Sequence, residues 1–594
     1  MLAGRRWMRA QAAVARSPNG SLSAARGRPR RRFECGLMTP SEDLPPARPR
    51  FLPASRWARW ALLALVVFTL LRGGIWAVTQ PFFWAPDEDY HFLYVEHVTT
   101  QGSLPGPGEP LYPREYPLVI QAMKYDQYSS GARSDFSGDP KASVGRLEDL
   151  PDADREPRDI GRGVNVVHAP LYYLTGAAVN AVLGNASPFT RVMAVRWVST
   201  VIGGLAVFLA WLLAAQVFRR EWLQLTTAGL VALQPMIAFL SGIVSNDIAV
   251  TAAYTGALAL LLFLQRTAPR AAQGAWVGGA IALALLVKST ALALLPLAVL
   301  AYAGQWLAWR GRGREVLRSA LVACGIVALV AGWWYVRSLI EYGSLTGAAT
   351  EVVPSGEGEA ATIGNIFSIA AEWTRLTYRT YWWHFYWWEA DRNSIFFLVP
   401  YAVGAIGVAG VVAVFWKRRR ALLTGTDPLV RQAILMIAAI LILYLPPLAT
   451  DVLRRLNGEG FILVAGRFLL PAYPAAVALL LVGVRQLVPR RFLAWACGFL
   501  VALSAAFIWT VWWDNYVHRY YGDAGWGELF RRMSFDRPEF VTQATLWIAL
   551  AGALAAFAGF VGILVVRAVR DRRPPIGPDA APAAPPAPPL AARS

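Results

Sequence analysis

Twelve runs of apolar residues alternate with polar segments along this chain, most of them close to the length that carries an α-helix across a hydrocarbon core of about 30 Å. They cover residues 57–78, 194–218, 223–241, 247–265, 274–288, 289–308, 316–337, 394–416, 432–450, 467–485, 493–513 and 545–567. Each predicts a helix, because a bilayer offers no water to satisfy backbone groups and the segment must bond to itself. The pair 274–288 and 289–308 is the least regular, since its first member is short and Lys288 stands at the tip between the two. A further apolar stretch, 170–183, would invert every later connection if it crossed the bilayer. It is therefore predicted as a helix lying in the outer interface, with Tyr172 and Tyr173 at headgroup level. The fold class is all-α: a polytopic transmembrane helical bundle of about 12 spans, with a long first extracytoplasmic loop that carries interfacial helices.

The basic residues give the bundle a direction. They gather at alternate connections: Arg219/Arg220, Arg266/Arg270, Arg310/Arg312/Arg314, Lys417 to Arg420, Arg485/Arg490/Arg491 and Arg567/Arg570/Arg572/Arg573. The positive-inside bias then places both termini in the cytoplasm and residues 79–193, 338–393, 451–466 and 514–544 outside. Between 79 and 168 acidic residues outnumber basic ones 15 to 8, as suits an outer loop. Residues 1–56 read as a disordered basic tail, within which Met38 is an alternative start; 57–567 form the membrane domain, and 568–594 a disordered Pro/Ala-rich tail. The first apolar run begins only at Trp57, is too long for a signal-peptide core and lacks a small-residue cleavage site.

Composition agrees. The 594 residues are 56% hydrophobic and 16% charged, against roughly 25% charged in soluble domains. Mean hydropathy is +0.39. The net charge of +19 is spread over short clusters, so it reads as topology signal and not as a nucleic-acid surface. Cys35, Cys324 and Cys497 offer neither a disulfide framework nor metal-ligand spacing. Gly-rich phosphate loops, dinucleotide fingerprints, HExxH and GxSxG are absent, which argues against a soluble nucleotide-sugar enzyme. The Ala/Arg/Gly-rich composition and the lack of a transit or retention signal point to a bacterial plasma membrane.

The candidate chemistry lies at the outer ends of the runs. Pro86-Asp87-Glu88-Asp89-Tyr90-His91 follows the first run closely. A carboxylate there suits a general base toward a hydroxyl; equally, the three acids suit a cap on the following helix, and the two roles are compatible. His168-Ala169-Pro170 marks a helix start with Pro at the first position. Arg196, Lys288, Arg337 and Arg467 sit at outer span ends against the positive-inside bias. Either they snorkel to headgroups or they bind phosphate. Ser245-Asn246-Asp247 reads as an N-cap or a binding element. The aromatic run Tyr381 to Trp388, which includes His384, reads as an interfacial belt or a sugar platform.

This arrangement resembles the C-type (GT-C) glycosyltransferases, membrane enzymes that use polyprenyl-phosphate sugars and include protein O-mannosyltransferases and aminoarabinose transferases. The likeness rests on Asp87-Glu88 after the first span, His168 to Leu171, and Arg196 with Gly203-Gly204. It extends to Ser245-Asn246-Asp247, Val287 to Thr290, Trp334 to Arg337 with Tyr342-Gly343, and Gly466 to Pro471, in order over residues 57–515. It departs at Ala169-Pro170, where the family has two prolines, and at 514–544, which has no counterpart. The resemblance implies inverting transfer of a hexosyl or pentosyl sugar from a polyprenyl-phosphate donor to a lipid, glycan or protein hydroxyl on the outer face. Asp87 is then the base, with Glu88 in support. His91, His168, Arg196, Asp247, Lys288, Arg337 and Arg467 are the substrate- and phosphate-binding residues. No cofactor is required; should Mg²⁺ or Mn²⁺ take part, Asp87 and Glu88 are its ligands. The alternatives are a polyprenyl-linked glycan ligase or polymerase, a lipid flippase or transporter, and a membrane protein without catalysis.

Overall fold

The first apolar run becomes helix α1 (Arg56–Thr79), opened by Ser55, whose hydroxyl accepts the Ala58 N–H at 3.4 Å. The computed structural model describes residues 52–107, 167–346, 358–382, 395–461, 465–513, 517–534, 537–538 and 540–570, and among these every apolar run is helical and no strand occurs. All of them belong to one compact unit, Leu44–Ser594.

After α1 come α2 (Glu88–Gln101), α3 (Leu171–Leu183), α4 (Pro188–Val217), α5 (Glu221–Ala232), α6 (Pro235–Leu240), α7 (Asn246–Leu264) and α8 (Ala271–Leu285). A 3₁₀ turn (Ser289–Ala293) leads into α9 (Leu294–Ala308), followed by α10 (Gly313–Val330), α11 (Gly332–Tyr342), α12 (Ile363–Trp382), α13 (Ile395–Lys417), α14 (Arg419–Thr424) and α15 (Pro428–Leu456). A further 3₁₀ segment, Gly466–Ala472, precedes α16 (Tyr473–Leu487), α17 (Arg490–Trp512), α18 (His518–Tyr521), α19 (Trp526–Ser534) and α20 (Gln543–Arg570). This is a polytopic helical bundle. Among the described residues nine helices are long and apolar enough to cross a membrane, or ten if the pair α10–α11, bent by 49°, counts as one.

With α10–α11 counted as one span, two runs account for the difference from twelve. Run 223–241 is interrupted after α5, because Pro235 has no N–H to continue a helix and instead opens α6, where the Gln234 side chain accepts the Ile237 N–H at 2.7 Å. Run 274–288 yields the 15 residues of α8, about 22 Å of helix at 1.5 Å per residue, short of a core of about 30 Å.

The 170–183 stretch is helical, as its pattern predicts, but its two tyrosines face the protein interior, not its surface. Tyr172 and Tyr173 are buried against α2 and α4, because their hydroxyls find partners inside. Tyr172 lies 2.8 Å from Ser199 Oγ and accepts the Ser245 N–H at 3.0 Å, so an aromatic that would otherwise sit in the wet interface is satisfied in the core. Helix α4 lies between α1 and α7. It reaches the chain after α6 at Gly203, where a Cβ would stand 2.3 Å from Ser241 Oγ. The basic clusters all fall at one end of the bundle, where α1 starts and α4, α9, α13, α16 and α20 finish. The other end, where α1 finishes and α7 starts, carries Asp87, Glu88 and Asp89.

Candidate functional site

At the Thr79 end of α1 the last carbonyls have no helical partner and bear the negative pole of the helix. Two buried arginines take them. Arg196, from α4, donates to Ala77 O at 2.7 Å, Gln80 O at 2.6 Å and Pro81 O at 3.0 Å. Arg537 donates to Val78 O at 2.5 Å and Gln80 O at 3.0 Å. The Phe82 ring lies 4.6 Å from one guanidinium and 4.9 Å from the other, and the Tyr521 hydroxyl donates to Thr79 O at 2.6 Å.

Glu88 completes this clamp. Its carboxylate is fully buried, and both oxygens are committed: Oε1 accepts Arg196 Nε at 2.8 Å and the Val244 N–H at 2.9 Å, while Oε2 accepts Arg196 Nη2 at 2.7 Å and the Phe83 N–H at 3.0 Å. The loop so held is strained. Phe83 and Asp87 both have left-handed backbones, at φ 63° and 62°, each costing on the order of 1–3 kcal/mol.

Asp87 occupies the cap position of α2, yet its side chain makes no capping bond. It pairs instead with Arg467 Nη2, and its side chain remains 28% exposed. Arg467 also donates to Pro86 O at 3.3 Å, and its Nε stands 3.5 Å from Asp247 Oδ2. On the far side of Asp247, Lys288 Nζ lies 2.5 Å from Oδ1. The Phe468 ring centre is 5.2 Å from Lys288 Nζ and 5.5 Å from the Arg467 guanidinium. Acid and base thus alternate along one row: Asp87, Arg467, Asp247, Lys288.

Local structure delivers each member. Asp247 falls in the first turn of α7, behind the Ser245 cap, where a helix favours an anion. Lys288 stands in extended backbone at the break between α8 and its 3₁₀ turn. Arg467 follows Gly466, whose Cβ position is filled by α12: it would lie 2.3 Å from Tyr381 N and 2.4 Å from Thr377 O. Only glycine permits this approach, and its N–H donates to Thr380 Oγ1 at 2.8 Å.

Beside the row lies an aromatic wall. His91 Nδ1 is 2.8 Å from the Tyr173 hydroxyl, which also accepts Asn246 Nδ2 at 3.1 Å. The His91 ring stacks on His168 at 5.7 Å, and Tyr94 stacks on Tyr173 at 3.8 Å. Burial first, and the Lys288 cation next, push the His91 imidazole down to about 3 and that of His168 well below its ordinary value. Burial raises the Tyr173 phenol well above its usual range. At neutral pH these groups are therefore neutral donors and acceptors, and neither histidine adds positive charge for a phosphate.

The fold brings together Asp87, Glu88, His91, His168, Arg196, Asp247, Lys288 and Arg467. Arg337 does not join the row: it donates to Pro105 O at 3.0 Å, pairs with Glu341 at 2.8 Å and lies over Trp334, and among the described residues its charge reaches the site only at Tyr94 of the aromatic wall. Residues 383–388 of the aromatic run lie outside the described residues. Among the described residues no three His, Cys, Asp or Glu side chains approach closely enough to hold a metal, and both oxygens of Glu88 are already taken by Arg196 and backbone amides. Sequence reasoning missed Arg537, in a segment without a recognisable motif, and the partnership of Tyr173 with His91. A pattern cannot announce such pairs, although an arginine in an otherwise unmatched outer segment is a signal of a kind.

Fold and site together define a class: a polytopic helical membrane protein with an ionised, partly open cluster at one end of its bundle. The chain belongs to the family described as "Predicted membrane protein (DUF2142)", whose model matches residues 70–476. No curated protein sequence matches it. Among solved structures it is similar to ArnT from Cupriavidus metallidurans bound to undecaprenyl phosphate, at 14% identity and a TM-score of 0.38 over 86% of this chain and 77% of that one. The apo state of that protein gives 14% and 0.40, over 86% and 76%. The Archaeoglobus fulgidus oligosaccharyltransferase tethered with an acceptor peptide gives 15% and 0.35, over 86% of this chain and 55% of that one.

Proposed function

We propose that this protein transfers a sugar from a polyprenyl-phosphate carrier to a hydroxyl acceptor at the extracytoplasmic face of a bacterial plasma membrane, with inversion at the anomeric carbon. The observation that carries this reading is the part-exposed Asp87 carboxylate held on Arg467, one end of a row that continues through Asp247 to Lys288. Asp87 occupies on Arg467 the place that a phosphate oxygen would take.

Arrival of the donor phosphate displaces Asp87 from that guanidinium and leaves the carboxylate free as a base. Arg467 and Lys288 bond the phosphate oxygens, and their charge matters most as the glycosidic C–O bond breaks and negative charge builds on the leaving group. Asp247 keeps the two cations aligned and offsets their repulsion while the site is empty. The acceptor oxygen bonds to the anomeric carbon from the opposite face, its proton passes to Asp87, and the polyprenyl phosphate departs. Glu88 and Arg196 hold the loop through the bonds that commit both carboxylate oxygens. A transporter would place its polar groups near the middle of the bilayer; here they gather where helices begin and end.

The test is a purified-protein assay with a radiolabelled polyprenyl-phosphate sugar and a membrane-extract acceptor. Asp87→Asn is expected to lower transfer by about 10²–10⁴-fold, the worth of a general base, with an unchanged thermal midpoint. Lys288→Met should cost about 10²–10³-fold. Undiminished turnover by Asp87→Asn removes the base assignment, and label that crosses the bilayer without entering an acceptor replaces the enzyme by a flippase.

A further inference from the structure

Arg72 lies inside α1, seven residues before its Thr79 end, a distance of about 10 Å at 1.5 Å per residue. It is 7% exposed, and none of its three guanidinium nitrogens has a hydrogen-bond partner among the described residues. The Phe68 ring lies 5.5 Å from its guanidinium carbon. An ionised arginine in a spanning helix is costly and in general faces a partner, a cavity or the interface. This one faces a cavity: a groove of about 160 Å³ between α1, α17 and α20, walled by Phe68, Trp76, Ala505, Trp512 and Phe557. Trp509 and Leu554, also on its wall, are 41% and 53% exposed, so the groove opens at the lipid-facing side of these helices. No residue of the Asp87–Lys288 row lines it; the two places are distinct.

Arg72 stands in the wall of the groove with its donors unspent but covered, behind a surface of hydrocarbon and indole. That combination matches a phosphate carried on an aliphatic chain, and it lacks the several polar groups that would grip a sugar. We propose that the groove binds an anionic glycerophospholipid of the surrounding bilayer, its phosphate on Arg72 and an acyl chain along the aromatic wall. The long methylene stem of arginine lets the guanidinium rise toward the headgroup, and a groove open to the membrane meets the bulk lipid at the highest concentration. The bound lipid bridges α1 to α17, whose Trp512 reaches Thr79 Oγ1 at 3.5 Å, so it braces the helix end from which the acidic loop departs.

Native mass spectrometry of the full chain in mild detergent, with phosphatidylglycerol and phosphatidylcholine supplied equally, tests this. One phosphatidylglycerol adduct per chain is expected to survive activation that strips phosphatidylcholine, and phosphatidylglycerol alone should raise the thermal midpoint. Arg72→Met should lose both effects. Ala505→Phe keeps the cation but fills the groove; it should lose the adduct as well, and it stands in if Arg72→Met does not fold. Equal retention of the two lipids, an adduct that persists in both variants, or a polyprenyl phosphate found in place of the glycerophospholipid each overturns the proposal.

Discussion

At the scale of single residues, burial separates two neighbouring acids that the sequence presents as a pair. Glu88 is sealed against Arg196 with neither side chain exposed, while Asp87 keeps an edge in the open. A buried pair is not itself a large source of stability, but stranding one partner is expensive, about 3–5 kcal/mol. Glu88→Ala and Arg196→Leu are each expected to lose about that much, and the double variant less than their sum, because the second change removes the charge that the first left unpaired. Denaturation of the four proteins in one detergent measures the coupling; simple additivity would mean that the pair is not an energetic unit. His91 gives a pH dependence with a definite sign. Its folded value, about 3, lies below the 6.5 of an unfolded histidine. Below pH 6.5 the unfolded chain therefore gains a proton that the folded protein refuses. Stability is complete above 6.5 and falls as the pH drops toward 3, by at most about 1.4 kcal/mol per unit. Melting curves from pH 7.5 to 5 should show this fall, and His91→Gln should make it shallower.

At the scale of elements, the end of α1 is the organising feature. A helix C-terminus exposes carbonyls that need donors, and here Arg196 and Arg537 reach the same carbonyl, Gln80 O, from segments far apart in sequence. Arg537→Ala is expected to leave the bundle intact and to speed amide hydrogen exchange in residues 78–88 at least severalfold, since opening of that loop is then opposed by one arginine and not two. Exchange unchanged in that segment would assign the bracing to Arg196 alone. The short helices α5, α6 and α8 show the same logic. Hydrophobicity predicts a span wherever a run is long enough, whereas Pro235 and the break at Lys288 shorten the helices because backbone hydrogen bonding, not transfer energy, decides where a helix stops.

At the scale of the whole molecule, the bundle is polar in its ends. One carries the basic clusters and the other Asp87, Glu88 and Asp89; the proposed function requires the basic end to face the cytoplasm, as the positive-inside bias predicts. In a chain without its native cysteines, Ser103→Cys should react with a membrane-impermeant maleimide added to intact cells, and Thr424→Cys should react only after lysis; both positions are exposed. The reverse pattern would turn the site inward and remove a periplasmic acceptor from consideration.

The helices, their order and the two unlike ends follow from sequence, because the cost of placing a side chain in hydrocarbon is local and sums along a run. All four residues that form the row were visible too, since an ionisable group beside an apolar run stands out against its surroundings. Which acid meets which base was decided only by tertiary structure. Glu88 and Arg196 are 108 positions apart, and Arg537 lies 459 from the carbonyl it holds. Tyr172 and Tyr173 look like interfacial residues until Ser199, Ser245 and His91 supply their partners. Arg337 has the same credentials as Arg467 on paper, and only the path of α11 turns it toward Glu341. Charge pairing depends on distances of a few ångströms, and packing sets those distances after the local pattern has had its say.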